Sequence, residues 1–249
     1  MDAASYLSSK NYTHNIGVRS GLPESKQAGA PKQHHGFSPY VFNGGTTMAI
    51  AGDGYVVVAG DTRLSAGYEI MTRDHSKLCK LNDRVVLASI GFQGDSTTLH
   101  KHLKMKLAMY KHNHDKDMGV EACAQMLMTT LYYKRFFPYY TINILVGLDK
   151  DDQGAVYHYD PIGSFERETY RAAGTGSQLL QPLLDSEVGF KNKSDVVEKK
   201  TPTLEEAINL CKDAFAGVAE RDIYTGDRVQ ILIITKDGVK EETFTLRRD

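Results

Sequence analysis

Apolar and polar positions change period several times along this chain, and each change marks a new element. Thr46-Met-Ala-Ile-Ala and Tyr55-Val-Val-Val-Ala are strand-like runs on either side of Gly52-Asp53-Gly54, a strong hairpin signal. A second hairpin is expected from Lys77 to Leu81, through Asn82-Asp83, into Val85 to Gly91. From Ser96 to Tyr110 the apolar residues fall at 99, 103, 107 and 110, the spacing of one helix face, with Asp95 ahead of it as the expected N-cap. Val120 to Tyr133 repeats that spacing at Cys123, Leu127 and Leu131, and Pro138 marks its end.

Strand patterns return at Thr141 to Leu148, Ala155 to Tyr159 and Thr169 to Ala173. Helical segments come next, at Ser177 to Leu184 and Leu204 to Ala219. Thr203 with Glu206 three residues on forms a capping box for the second of these. Val229 to Thr235 and Glu241 to Leu246, joined through Lys236-Asp-Gly, close the pattern. Strands, two helices, strands, two helices, strands is an α+β order, with helices covering sheets rather than alternating with each strand. Strands as apolar as Val229-Gln-Ile-Leu-Ile-Ile fit a sheet buried on both faces.

Residues 1–35 show no such period. They are polar and rich in Ser, Gly, Lys and Asn, too poor in apolar surface to offset the entropy of ordering. They read as a flexible leader, trimmed on maturation, ahead of a single domain over 36–249. The polar run Asn192 to Lys200 reads as a loop insertion, not a domain break.

Composition narrows the function by exclusion. A net charge of −1 with 30 basic and 31 acidic residues provides no field for drawing in nucleic acid or acidic lipid. Apolar runs of about five residues fall far short of the roughly 20 a spanning helix needs. The start of the chain also lacks the apolar core and cleavage site of a secretory signal. Three well-separated cysteines, Cys79, Cys123 and Cys211, read as free thiols of a reducing compartment, hence cytoplasm and nucleus.

Several tempting motifs have plainer readings. His100 and His102 point to different helix faces, and His112 and His114 sit among Lys and Asp, so the histidines read as solvated surface groups rather than metal ligands. Gly174-Thr-Gly-Ser177 lacks the Lys of a phosphate loop and reads as a tight strand-to-helix turn. Phe136-Phe-Pro-Tyr-Tyr140 is either buried turn packing or an exposed interface patch, and the sequence leaves both open. No cofactor or metal is expected.

One ordered series carries chemistry. Gly44-Gly-Thr-Thr47 leads into a strand, Asp61-Thr-Arg63 ends the return strand, Lys77 comes sixteen residues after Asp61, and Gly91 and Gly94-Asp95 end the next hairpin. A hydroxyl nucleophile, a proton-managing amine and backbone amides for an oxyanion are the parts of an N-terminal threonine hydrolase. Singly, each piece is also a turn glycine, a strand-end Asp or a surface Lys.

The spacing Asp61, Lys77, Gly91, Gly94-Asp95 resembles the signature of proteasome beta-type subunits, and the resemblance runs from about Phe37 to Asp249. Gly174-Thr-Gly-Ser177 and Glu220 to Asp227 match that family's glycine turn and late supporting loop. Lys134 to Tyr140, Tyr159 to Ser164 and Gln181 to Asp185 look most like its non-catalytic beta-6 branch (beta type-1). The resemblance implies a four-layer αββα sandwich of the N-terminal-nucleophile type. It also implies a structural place in the beta ring of a 20S core, a 28-subunit barrel of alpha and beta chains gated by regulatory caps. No nucleic acid or membrane partner is implied. By the same resemblance Asp61, Lys77, Gly91, Asp222 and Thr225 are remnants of the family site, with no catalytic residue among them.

The expected loss lies at the nucleophile. Catalytic members place their threonine sixteen residues before the Asp matched by Asp61, which here is Gly45; Thr46 is fifteen away, and one residue of strand turns a side chain to the opposite face. Two alternatives stay open: an active threonine endopeptidase self-processed between Gly45 and Thr46, and a free-standing amidohydrolase of the same fold.

Overall fold

The computed structural model describes residues 38–192 and 200–247. The expected leader and positions 193–199 of the polar loop lie outside the described residues. Among the described residues every helix and strand belongs to the unit from Phe42 onward.

Period-two strands build two five-stranded antiparallel sheets. The first runs in the order β10 (Tyr170–Gly174), β1 (Thr46–Gly52), β2 (Tyr55–Asp61), β11 (Arg228–Thr235), β12 (Gly238–Thr245). In the second the order is β5 (Leu78–Lys80), β6 (Val85–Gly91), β7 (Thr141–Leu148), β8 (Gly154–Tyr159), β9 (Phe165–Glu168). A short ribbon of β3 (Leu64–Ala66) and β4 (Glu69–Thr72) stands apart from both. Four helices among the described residues complete the layers: α1 (Gln93–His114), α2 (Val120–Tyr132), α3 (Ser177–Glu187) and α4 (Leu204–Ala219).

Alternation along the strands sorts the core into three layers. Met48, Ile50, Val57, Ala59, Ile231 and Ile233 face Leu180, Leu184, Cys211 and Phe215 of α3 and α4. Their neighbours Ala49, Val56, Val58, Leu232 and Ile234 point the other way, onto Val86, Ala88, Ile144 and Val146 of the second sheet. The opposite face of that sheet, Val85, Leu87 and Leu145, packs on Leu99, Leu103, Cys123 and Leu127 of α1 and α2. Helix, sheet, sheet, helix is therefore the layering, and strands buried on both faces are what it demands.

Most elements lie where the periodicity puts them, and the Thr203–Glu206 capping box forms in full. Three strands, β3, β4 and β9, go beyond the sequence pattern, because they are short and carry polar residues on at least one face. The expected N-cap of α1 is a correction. The helix begins at Gln93 with Phe92 as its N-cap, and its first amide is capped from a distance by Asn43 Oδ1 at 2.9 Å. Asp95 sits inside the first turn instead, where its carboxylate accepts from the Tyr140 amide at 2.8 Å. All three cysteines are buried and unpaired, as free thiols. Among the described residues no helix is long and apolar enough to cross a membrane.

Candidate functional site

The site forms at one end of the two stacked sheets. β1 enters opposite β10, with Thr46 facing Gly174, and β2 leaves opposite β11, with Asp61 facing Val229. That register brings the residues just before β1, the end of β2 and the loop before β11 together. Lys77 comes from the second sheet, on the residue preceding β5, where its carbonyl accepts from the Ser89 amide at 2.9 Å.

Asp61 and Lys77 form a fully buried ion pair, Nζ to Oδ1 3.1 Å. Lys77 Nζ also donates to the carbonyls of Asp61 at 2.8 Å and Arg63 at 2.6 Å, so all three of its protons are placed. Asp61 accepts further from the amides of Thr46 at 2.8 Å, Arg63 at 3.3 Å and Gly226 at 3.4 Å. Burial pushes the Asp61 carboxyl up and the Lys77 ammonium down, while their mutual attraction opposes both shifts. Such a pair is costly to break because the survivor keeps its desolvation penalty.

Gly45 lies against this pair. Its φ of +89° is in the region that L side chains rarely adopt, and a Cβ built on it would sit 2.1 Å from Lys77 Cε, 2.7 Å from Nζ and 3.0 Å from Asp61 Oδ1. The direction a side chain would take from residue 45 thus points straight at the Asp–Lys pair, and the lysine stem fills that space.

Thr46 turns elsewhere. Its hydroxyl accepts from the Gly176 amide at 2.9 Å and lies 2.7 Å from Thr225 Oγ1, while Thr225 donates to Asp222 Oδ2 at 2.6 Å. A carboxylate has no proton to return, so Thr225 must accept from Thr46. The order is Gly176 N–H to Thr46, Thr46 O–H to Thr225, Thr225 O–H to Asp222. Thr175 joins from the glycine turn, donating to the same Asp222 oxygen at 2.5 Å, and its amide donates to Gly45 O at 3.0 Å.

The late loop is braced from outside. Asp227 accepts from Arg63 Nε at 2.8 Å and Arg73 at 2.5 Å. Burial works to raise the Asp227 carboxyl, but the two guanidiniums hold it below the usual carboxylate range. Gly91 borders a crevice shared with Asn43, Gly44, His75, Lys77 and His100, and its carbonyl accepts from the Asn43 amide at 3.0 Å.

The structure therefore gathers Asp61, Lys77, Asp222 and Thr225 around Gly45 and Thr46, with Gly91 at the edge. Thr175 is the member that sequence reasoning misses. The Gly174-Thr-Gly-Ser177 segment is the expected strand-to-helix turn, yet nothing local in it signals a carboxylate 47 positions later.

One reading outside the site is corrected. His100 is not a solvated surface group, whereas His102, His112 and His114 are exposed as expected. His100 Nε2 lies 2.8 Å from Ser89 Oγ, and burial, with Lys104 and His75 nearby, lowers its pKa to about 4; His102 Nδ1 lies 2.9 Å from the Tyr139 hydroxyl. The aromatic run splits between its two candidate roles: Tyr139 is buried and Tyr140 half-buried, while Phe136 and Phe137 are exposed.

Comparison with known proteins agrees with this geometry. The family model described as "Proteasome subunit" matches residues 41–234. Proteasome subunit beta type-1 of Danio rerio is 53% identical over 215 residues, 86% of this chain and 90% of the relative. The Drosophila melanogaster protein of the same name is 50% identical over 218 residues, 87% and 93% of the two chains. A probable proteasome subunit beta type-6 of Schizosaccharomyces pombe is 42% identical over 220 residues, 86% and 98%.

Proposed function

The chain belongs to the proteasome subunit family, and we propose that within it the chain is a wall element of the beta ring of the 20S core rather than one of its peptidases. With its relatives named beta type-1, it is a non-catalytic structural beta subunit. The finer claim is that the nucleophile position is Gly45, and one observation carries it. The side-chain direction of residue 45 meets the Lys77–Asp61 pair, and residue 45 has no side chain. An N-terminal-nucleophile site needs a hydroxyl beside its proton-managing group; here the nearest threonine has committed its hydroxyl proton to Thr225.

On this reading Asp61, Lys77, Gly91, Asp222 and Thr225 persist as framework. The pair welds the ends of the two sheets together, and the Thr46–Thr225–Asp222–Thr175 chain fastens β1 and the α3 turn to the late loop. Assembly with other 20S subunits follows from the family. A seven-membered ring within a 28-subunit barrel, with caps engaged only indirectly, and a place in cytoplasm and nucleus complete the proposal. Its work is to help enclose the chamber where neighbouring subunits cut.

The second reading, an active endopeptidase self-processed at Gly45–Thr46, draws support from the Thr46 amide lying 2.8 Å from Asp61 Oδ1. A freed Thr46 amine would stay at that carboxylate. The experiment that separates the two is Thr46→Ala in assembled particles. Unchanged rates for every cleavage specificity, per particle, support the wall element; selective loss of one specificity supports the peptidase.

A further inference from the structure

At the C-terminal end of α2 the chain turns aromatic side chains outward. Tyr132 is 59% exposed, Tyr133 90% and Phe136 96%. Rings of this kind bury roughly 150–250 Å2 each, so three together reach the upper end of the ~300–600 Å2 that a monomer's largest apolar patch spans. Nor are they on a loose tip. Tyr133 N donates to Thr129 O at 3.0 Å, Lys134 N to Leu131 O at 3.0 Å and Arg135 N to Tyr132 O at 2.9 Å, continuing the helix as tight turns. Just beyond, the buried Tyr139 anchors the segment through its hydroxyl to His102.

Charge gives the patch a sign. Between Glu121 and Asp149 the sequence holds no Asp or Glu, and its only full charges are Lys134 and Arg135. Both lie on rings, Lys134 Nζ 4.7 Å from the centroid of Tyr139 and the Arg135 guanidinium 5.6 Å from that of Phe136. Asp95, which packs against the same segment, accepts from the Tyr140 amide, and Asp160, in the loop that Gly163 seats against Leu131 and the Tyr132 amide, is taken by the amides of Ile162 and Ser164. An aromatic centre with a cationic rim is the composition of an interface core, and its complement is an apolar pocket edged by carboxylates.

We propose that Tyr132, Tyr133 and Phe136, rimmed by Lys134 and Arg135, dock into an acid-edged apolar pocket on a neighbouring subunit of the 20S core. The inference rests on the subunit reading above, which supplies the neighbour. Rigid aromatics lose little side-chain entropy on burial, so they anchor more effectively than flexible aliphatic residues would.

The test replaces Phe136 with photoreactive benzoylphenylalanine in the full-length, tagged chain, with irradiation of 20S particles purified from the same cells. A dominant cross-link is expected to a different subunit, at a segment holding Asp or Glu within a few residues. In parallel, Lys134→Glu with Arg135→Glu is expected to lower incorporation into particles about tenfold, while Lys134→Arg with Arg135→Lys incorporates normally. A tagged chain in particles with no cross-link, with one to a second copy of this chain, or with a normally incorporated charge reversal overturns the docking surface and leaves the subunit reading standing. An otherwise unsubstituted tagged chain absent from particles overturns both.

Discussion

Lys77 occupies the space that a side chain on residue 45 would need, with its Cε 2.1 Å from where a Cβ of Gly45 would lie. The lysine is held there by two carbonyls and by Asp61, not by any group on residue 45. Here it closes a seam between two sheets.

Breaking that seam is expected to cost stability and not chemistry. Lys77→Ala leaves Asp61 buried with three backbone amides as its only partners, a loss of about 3–5 kcal/mol by comparison with other broken buried pairs. Replacing both groups, Lys77→Met with Asp61→Asn, should recover a good part of it, since neither product carries a stranded charge. Urea unfolding of the single and double variants measures the difference. A single variant as stable as the parent would mean the pair holds nothing together.

Gly45→Ala probes the neighbouring contact. At φ +89° an L side chain costs roughly 1–2 kcal/mol in backbone energy, and displacing the Lys77 stem adds an overpacking cost of about 1–3 kcal/mol. The expected loss is therefore ~2–5 kcal/mol in the same urea experiment. A neutral Gly45→Ala would show that Lys77 yields freely and that its stem does not fill the space beside residue 45.

How much of the fold is legible in the sequence depends on whether the cause is local. β7 and α4 read correctly from end to end because period and capping box lie within each segment. The start of α1 does not, because its cap is Asn43, fifty positions upstream. The polar strand β9, Phe-Glu-Arg-Glu, carries no buried residue to betray it. Within the site, Asp61, Lys77, Asp222 and Thr225 are legible through spacing and family resemblance. Thr175 is not, since its partner is set by the fold alone. His100 escapes the sequence for the same reason: a helix wheel shows which way it points but not that Ser89 waits there.

His100 also gives a pH dependence with a definite sign. Its pKa is lowered to about 4 in the fold, against about 6.5 when unfolded, so between these values unfolding takes up a proton. Its contribution is intact above pH 6.5 and is lost as pH falls toward 4. His158, also lowered to about 4 by burial with Arg171 beside it, acts in the same window. His100→Gln retains a donor for Ser89 and removes the titration, so the loss of stability between pH 6.5 and 4 should become shallower by about one proton. An unaltered slope in urea midpoints over that range would show that His100 is already protonated in the folded chain.

The central claim, that position 45 leaves this subunit without a nucleophile, is tested most directly by intact mass spectrometry of whole 20S particles after treatment with a broad threonine-directed covalent inhibitor. Adducts are expected on other beta subunits, with no inhibitor mass on this one and a mature terminus upstream of Gly45. An inhibitor adduct on this chain, with its terminus at Thr46, would contradict it.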